Sequence, residues 1–300
     1  MLFNQKKWSD PLYDKINSSE NENYIKIRTH IEELYEVTKD YLDKSFQKKF
    51  THEFKERYSE MYFTYSLLKN EIVIIHESDI GPDLYINDIN GWAEFTIAEN
   101  GDPEKLSSMK PYPKNEVIKI DINSRLLRIT NSMNTKTLKL KNDIINGKIK
   151  KNKPIILFVY LGWLYDSIPV FPKRGLPDFF KAVLPFSDPI LDLKTNEMYY
   201  TIKPGIPKKC NDGNINIIEN NWFYTEENSH ISALVFSYST LSPYIDLNKI
   251  GTDLFFINNP YARNKVRPNL MKYEIECWAE IHDNEISCKF INGPVNDSHI

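Results

Sequence analysis

The stretch KPIILFVYLG, residues 153–162, most constrains what this chain can fold into. A continuous apolar run this short, rich in β-branched and aromatic side chains, reads as a strand buried in a sheet. Extended to PIILFVYLGWLY (154–165), it is still too short and too β-rich to span a bilayer. Upstream, Tyr24 to about Asn70 carries a helical pattern. Phe54, Tyr58, Met61, Tyr65 and Leu68 recur on one face there, which predicts a helix docked by that face. EIVIIHES (71–78) reads as a buried strand, and PDLYI (82–86) and GWAEFTIA (91–98) as two more around the turn NDIN (87–90). Residues 124–147 form a long amphipathic pattern, with Ser124 as N-cap and Gly147 as the C′ stop. Helix, three strands, helix, strand is the order of an α/β (α+β) layer arrangement with a central mixed sheet flanked by helices.

Beyond residue 165 the signals are shorter. LPDFFKAVLP (176–185) suits a short helix and EMYYTIK (197–203) a strand. SALVFSYSTL (232–241) and DLFFINNP (253–260) are strongly β in character, which predicts an additional C-terminal β-rich region. No repeat, low-complexity tract or linker divides the chain. The expected organisation is a polar and helical N-terminal extension (1–45), a core (46–165), and C-terminal additions (166–300) packed on the same domain.

Composition narrows the function classes. At 300 residues and 41% hydrophobic content the chain is ordinary globular material. A net charge of −3 gives no global attraction to nucleic acid, which argues against a coating or packaging protein but leaves room for an enzyme with a local basic patch. Cys210, Cys277 and Cys288 are scattered and odd in number, and predict a reducing compartment without a disulfide framework or structural zinc. The N-terminus lacks a signal-peptide apolar core. The expectation is a cytoplasmic protein with no membrane segment. The six histidines form no metal motif, and there is no G-x-S-x-G elbow, Walker loop or dinucleotide fingerprint.

The segment GPDLYINDINGWAEFTIAENG (81–101) carries the candidate chemistry. A hairpin symmetric about residues 88 and 89 sets Ile86 opposite Gly91 and Asp83 opposite Glu94. Directly opposed side chains lie about 4.5–5.5 Å apart at Cβ on one face. Tyr85, Trp92 and Thr96 share that face, while Leu84, Ile86, Ala93, Phe95 and Ile97 line the other, which is the core. Opposed like charges need neutralising, and hard divalent ions favour carboxylate oxygens. The alternative is a solvated hairpin with Glu94 exposed. In the following helix Leu126, Ile129, Met133, Leu140 and Ile144 make an apolar stripe. Lys136 lies on its edge and Lys139 further round the same side, where each could turn its ammonium into a pocket or stay in solvent.

In order along the chain, ERYSEMYFTYSL (56–67), SDIGPD (78–83), WAEFTIAENG (92–101), LLRITNSMNTK (126–136), PIILFVYLG (154–162), ISALVFSYS (231–239) and DLFFINNPYARN (253–264) resemble a bacterial branch of the PD-(D/E)XK nuclease superfamily. The resemblance covers roughly residues 50 to 270. It implies a restriction-endonuclease-like core and hydrolysis of phosphodiester bonds in nucleic acid, DNA or RNA. It also implies Mg²⁺ or Mn²⁺ held by Asp83, Glu94 and the backbone carbonyl of Phe95, with Glu60 reaching the metal directly or through water.

The chain departs from the pattern at Thr96, where the superfamily carries a lysine. The branch it resembles moves that cation to the following helix in a K-x-x-Q-x-x-x-Y pattern, here Lys136, Lys139 and Asp143. Lys136 and Lys139 are therefore the candidate cations. Glu60 could equally pair with Arg57 as an ordinary helix charge. The substitution at Thr96 keeps two other readings open. One is a degenerate nuclease fold that binds nucleic acid or protein, and the other an interaction protein or homo-oligomer using its C-terminal region. GKIKK and KNKP (147–154) and PKRG (172–175) are basic clusters that could meet phosphates, and Trp92, Trp163 and Tyr165 could stack on bases. Turn and core-capping roles compete with each.

Overall fold

The computed structural model describes residues 2–3, 10–76, 81–102, 104–105, 108–111, 113, 121–167, 177–187, 190–191, 193–194, 198–199, 201–203, 205–210, 212–282 and 285–292. PKRG (172–175), His299 and the first part of the VIKIDI segment preceding Asp121 lie outside them.

Five α-helices run in chain order: α1 (Pro11–Ser18), α2 (Glu22–Thr38), α3 (Phe46–Phe50), α4 (Phe54–Lys69) and α5 (Ile122–Ile145). The strands are β1 (Ile74–Ile75), β2 (Leu84–Ile86), β3 (Gly91–Ile97), β4 (Ile155–Tyr160), β5 (Ile190–Leu191), β6 (Met198–Tyr199), β7 (Ile206–Lys209), β8 (Ile215–Ile218), β9 (Ala233–Ser237), β10 (Leu254–Asn258), β11 (Ile275–His282) and β12 (Glu285–Asn292). Eight of them build one mixed sheet in the order β1-β2-β3-β4-β9-β10-β11-β12, and β5-β6 and β7-β8 are separate ribbons. β3, β4 and β9 are mutually parallel, β10 reverses direction, and β11 runs parallel to β10. The chain is thus α/β, with a large mixed sheet, helices and a β-rich C-terminal region.

The KPIILFVYLG run is β4, buried at all six of its residues. Alternate side chains enter two different cores. Ile156, Phe158 and Tyr160 join Ala93 and Phe95 of β3 in a cluster with α1–α4. Ile155, Leu157 and Val159 join Leu126, Ile129, Met133 and Leu140 of α5 in the other. Covering both faces removes the polar alternation an exposed face would impose. Leu34 of α2 and Tyr13 of α1 share the first cluster, so residues 10–45 pack into the same core as α4 and the sheet.

Three elements differ from expectation. Helix α4 buries Tyr62, Phe63 and Leu67 more completely than Tyr65 and Leu68, because it is wedged between α2 and the sheet rather than docked by one face. Tyr62 also donates a hydrogen bond to Asp253, whose other oxygen accepts from Ser237 Oγ and from Ser239 N–H at 3.1 Å, tying α4 to the far strands. The 71–78 strand shrinks to two residues at the sheet edge, with Val73 and Ile75 exposed rather than buried, and residues 77–78 lie outside the described set. Helix α5 begins two residues before Ser124. Asp121 is its N-cap, accepting from Ser124 N–H at 3.1 Å. Gly147 follows the helix at φ +73°, the left-handed conformation glycine adopts without strain.

In the C-terminal third, 176–185 gives only a buried 3₁₀ turn over Asp178–Ala182. The 197–203 segment gives β6 and an isolated bridge between Ile202 and Phe186. The 232–241 and 253–260 segments become β9 and β10. No expectation covered β11 and β12, whose charged residues interrupt the apolar pattern. No helix among the described residues is long and apolar enough to cross a membrane.

The hairpin that carries the acidic pair leans on the entrance to β4. A Cβ on Gly91 would meet the Pro154 carbonyl oxygen at 2.5 Å, closer than van der Waals contact permits. Gly91→Ala is therefore expected to lower stability by roughly 1–3 kcal/mol, the usual cost of overpacking. Urea denaturation checks this, and an unchanged midpoint would show that the hairpin is not pinned there.

Candidate functional site

The β2–β3 ladder pairs Ile86 with Gly91, Tyr85 with Trp92 and Leu84 with Ala93, and ends there. Asp83 is the next residue, but it does not take a cross-strand position facing Glu94. Its Oδ2 accepts the N–H of Phe95 at 2.6 Å, so the carboxylate continues the edge of the ladder where main chain would otherwise bond. A strand residue directs its N–H and C=O to the same edge. The Phe95 carbonyl therefore also points to the Asp83 side, beyond the last β2 pair.

Glu94 lies on the opposite sheet face from Phe95 and is fully buried, because α5 covers that face. The solvated-hairpin alternative is thereby overturned for Glu94. Two cations reach it from the helix. Lys136 Nζ donates to Glu94 Oε1 at 2.8 Å and Lys139 Nζ donates to the same oxygen at 3.0 Å. The ammonium-bearing side chains are 29% and 47% exposed, so each stem runs along the helix flank while its head turns inward. Glu94 Oε2 is buried and has no hydrogen-bond partner. The charges of Glu94 and Asp83 raise the Lys136 ammonium above its usual range, outweighing a burial effect in the opposite direction.

Thr96, two residues after Glu94, belongs to a clamp. Its hydroxyl lies 2.9 Å from Ser132 Oγ, which in turn donates to the Ile97 carbonyl at 2.6 Å. Ser132, Lys136 and Lys139 stand at i, i+4 and i+7, one stripe of α5 aimed at β3. The clamp holds that stripe one turn from the ion pairs. Sequence reasoning missed Ser132, although its spacing from Lys136 is the signal that could have found it.

From the other sheet face α4 contributes Glu60 and Arg57. Arg57 Nη1 donates to Glu60 Oε2 at 2.5 Å, and its Nε and Nη2 bond Glu53 Oε2 at 2.9 and 2.7 Å. Glu60 is thus engaged by its helix neighbour rather than reaching freely into the site. Burial, then the negative charge of Asp83, lifts the Glu60 carboxyl to about 8, against the pull of Arg57. Burial and then the charge of Glu94 lift Asp83 to about 6, with Lys136, the Phe95 N–H and Lys139 acting in the opposite direction. Asp83 at the sheet edge therefore senses Glu94 and is sensed by Glu60. Among the described residues no three His, Cys, Asp or Glu side chains converge as a complete metal cluster. The oxygens whose chemistry suits a hard divalent ion are those of Asp83, the unpartnered Glu94 Oε2 and the Phe95 carbonyl.

Other candidates resolve into structure. Trp163 donates its indole N–H to Ser59 Oγ at 3.0 Å and packs on Tyr58, so it is not presented to a base. Trp92 packs edge-on against Tyr85, and Tyr165 is exposed. Asn259 donates to the Ile231 and Asn228 carbonyls, and His76 Nδ1 lies 3.3 Å from the Asp83 carbonyl oxygen. The three cysteines are free. Comparison with protein-family models, curated proteins and solved structures brings no match to this chain.

Two outcomes follow from the electrostatics. Because Glu60 and Asp83 have raised proton affinities, the folded chain holds more protons at these two groups than the unfolded chain between about pH 4 and pH 8, while the buried His30 and His230, lowered to about 4, act in the opposite direction below about pH 6.5. Their contribution to stability therefore falls as pH rises through that window. Glu60→Gln is expected to raise Tm at pH 8, leave it unchanged at pH 4 and flatten the profile between; an unaltered slope would refute the assignment. Lys136→Met leaves Glu94 buried with one cation fewer, a loss of about 3 kcal/mol by analogy with broken buried pairs. Glu94→Gln/Lys136→Met is expected to recover part of it, and strictly additive losses in the double-mutant cycle would show that the pair is uncoupled.

Proposed function

We propose that this protein is a metal-dependent nuclease with a restriction-endonuclease-like core, in which α5 supplies the cation absent from β3. The observation that carries this reading is the convergence of Lys136 and Lys139 on Glu94 Oε1, while Thr96 is engaged with Ser132.

Asp83, Glu94 and the Phe95 carbonyl would hold Mg²⁺ or Mn²⁺. Such an ion, when bound, polarises a scissile phosphate and lowers the pKa of a coordinated water, making a hydroxide nucleophile accessible near neutral pH. Lys136 would stabilise the negative charge that grows on the phosphoryl oxygens, an effect strengthened by the low dielectric around a buried Glu94. Lys139, the more exposed of the two, would neutralise Glu94 when Lys136 turns toward substrate. Glu60, held by Arg57 and raised to about 8, would act on the site through its charge on Asp83. Arg57 keeps that carboxyl oriented.

A second reading, a degenerate fold that binds without cleaving, is favoured by one feature. Two lysines on one glutamate oxygen already neutralise the site without a metal. Cleavage assays on single- and double-stranded DNA and RNA with Mg²⁺ or Mn²⁺ separate the two. Activity is expected to vanish in Asp83→Ala and Glu94→Ala and to fall roughly 10²–10³-fold in Lys136→Ala, the scale of removing one transition-state donor. Cleavage surviving both carboxylate substitutions would overturn the assigned site, and absence of cleavage on every substrate would leave the binding reading.

A further inference from the structure

Two loops distant in sequence are stitched together at the end of the sheet where β3, β4 and β9 begin. The first, 147–154, connects α5 to β4 and carries Lys148, Lys150, Lys151 and Lys153. The second follows β10 and carries Arg263 and Lys265. Asn264, between those two cations, donates through Nδ2 to the carbonyls of Lys151 at 2.9 Å and Lys153 at 3.1 Å. Its own carbonyl accepts from Ser232 Oγ at 2.6 Å, and Ser232 N–H donates to the Ile155 carbonyl at 2.7 Å. The loops are thus locked by main-chain contacts that leave their side chains outward. Lys150, Lys151, Arg263 and Lys265 are all exposed.

The same end of the molecule receives Lys141 from α5. His230, beside Lys141 and Arg263, has its proton affinity lowered first by burial, against the Thr137 main chain, with smaller contributions in the same lowering direction from these two cations. Neither 144–155 nor 259–273 contains an acidic residue, in a chain whose net charge is −3. The nearest acid on α5, Asp143, is paired with Lys148 at 3.1 Å. Within these two loops the charge is of one sign, while Glu226 and Glu227 are exposed just before Ser229, whose carbonyl accepts the Arg263 N–H at 2.8 Å.

The face is continuous with the candidate site. β3 and β4 are in register from Trp92 and Ile155 to Ile97 and Tyr160, with Glu94 beside Leu157. Lys153 is four residues before Leu157, about 13 Å at strand rise. It lies over the Tyr85 ring at 4.3 Å and donates to Asn90 Oδ1 at 2.8 Å, bridging the basic loop to the hairpin of the site. Among the described residues the exposed aromatic side chains are Tyr165 and Tyr244, neither in these loops. A surface built for single strands needs stacking platforms among its cations, and this one sets a single half-buried ring, Tyr261, among the four exposed cations Lys150, Lys151, Arg263 and Lys265.

We propose that the loops 147–154 and 261–265 form a phosphate-binding face that seats the backbone of a double helix and delivers it to Asp83 and Glu94. The part about delivery rests on the nuclease reading; the binding part does not. Neutralising backbone phosphates releases counterions, so affinity falls steeply with salt, each contact adding about 0.9 to the logarithmic slope.

The test uses the full chain in EDTA and fluorescence anisotropy of a labelled 24-bp DNA duplex across a salt series. Single strands of the same length and polyglutamate serve as competitors. The variant is Lys150→Ala/Lys151→Ala/Arg263→Ala/Lys265→Ala, with Lys44→Ala/Lys48→Ala on the opposite, helical layer as control. The quadruple variant is expected to keep the wild-type Tm, lose at least tenfold in duplex affinity at low salt, and show a salt slope smaller by about three to four, as four lost contacts require. The control should bind as wild type. Wild-type affinity in the quadruple variant, stronger binding of single strands than duplex, or equal competition by polyglutamate would each overturn the proposal. Binding unchanged in the quadruple variant of a chain that cleaves would remove this face and leave the nuclease reading. Binding lost in the quadruple variant of a chain that does not cleave would support the face and remove that reading.

Discussion

The carboxylate of Glu94 has no contact with solvent, and much of the site's arrangement is set by that one buried charge. Removing a carboxylate from water costs several kcal/mol even after relaxation, and close cations with good geometry must offset it. Here they come from α5, through Lys136 and Lys139 on one oxygen. The helix must then lie at a fixed height over β3, which the Thr96–Ser132–Ile97 clamp secures one turn away. The second oxygen stays unpaired in a buried place.

The acidic groups around Glu94 are gathered by the ending of a ladder rather than by facing positions in one. β2 stops at Leu84, and Asp83 takes over its edge by binding the Phe95 N–H. This puts one carboxylate at the boundary between the two layers, sensed by Glu60 from α4 and sensing Glu94 under α5. The raised proton affinities on both record burial first, and then negative charge that the lysines and Arg57 do not fully cancel. The same sheet edge leads, through Lys153 on Tyr85, to the basic loops at the start of the parallel strands.

Much of this arrangement was legible locally. The hairpin pairing of Ile86 with Gly91 follows from the turn, and the stripe on α5 from its 3.6-residue period. Other features were not. The polar face of β3 looked solvent-bound because Glu94 and Thr96 are polar, but a helix 30 residues downstream covers it. The α4 stripe looked one-sided because periodicity cannot show that a helix is packed on two sides. Arg263 and Lys265 carried no signal of their own, since only the Asn264 contacts bring them beside Lys150 and Lys151.

The sequence by itself determined the layer order of the core, the presence of β4 as a doubly covered strand, and the residue types available for chemistry. Local periodicity and turn geometry suffice for those, because they depend on neighbours within a few residues. Only the tertiary structure decided that Lys136 and Lys139 share one oxygen of Glu94, that Asp83 bonds main chain, and that Glu60 is shared with Arg57. The first spans 42 and 45 residues of chain, the second 12 and the third only 3, and in each case the structure decides which of several possible partners a desolvated charge takes. That balance is set by burial and distance, which no local pattern encodes.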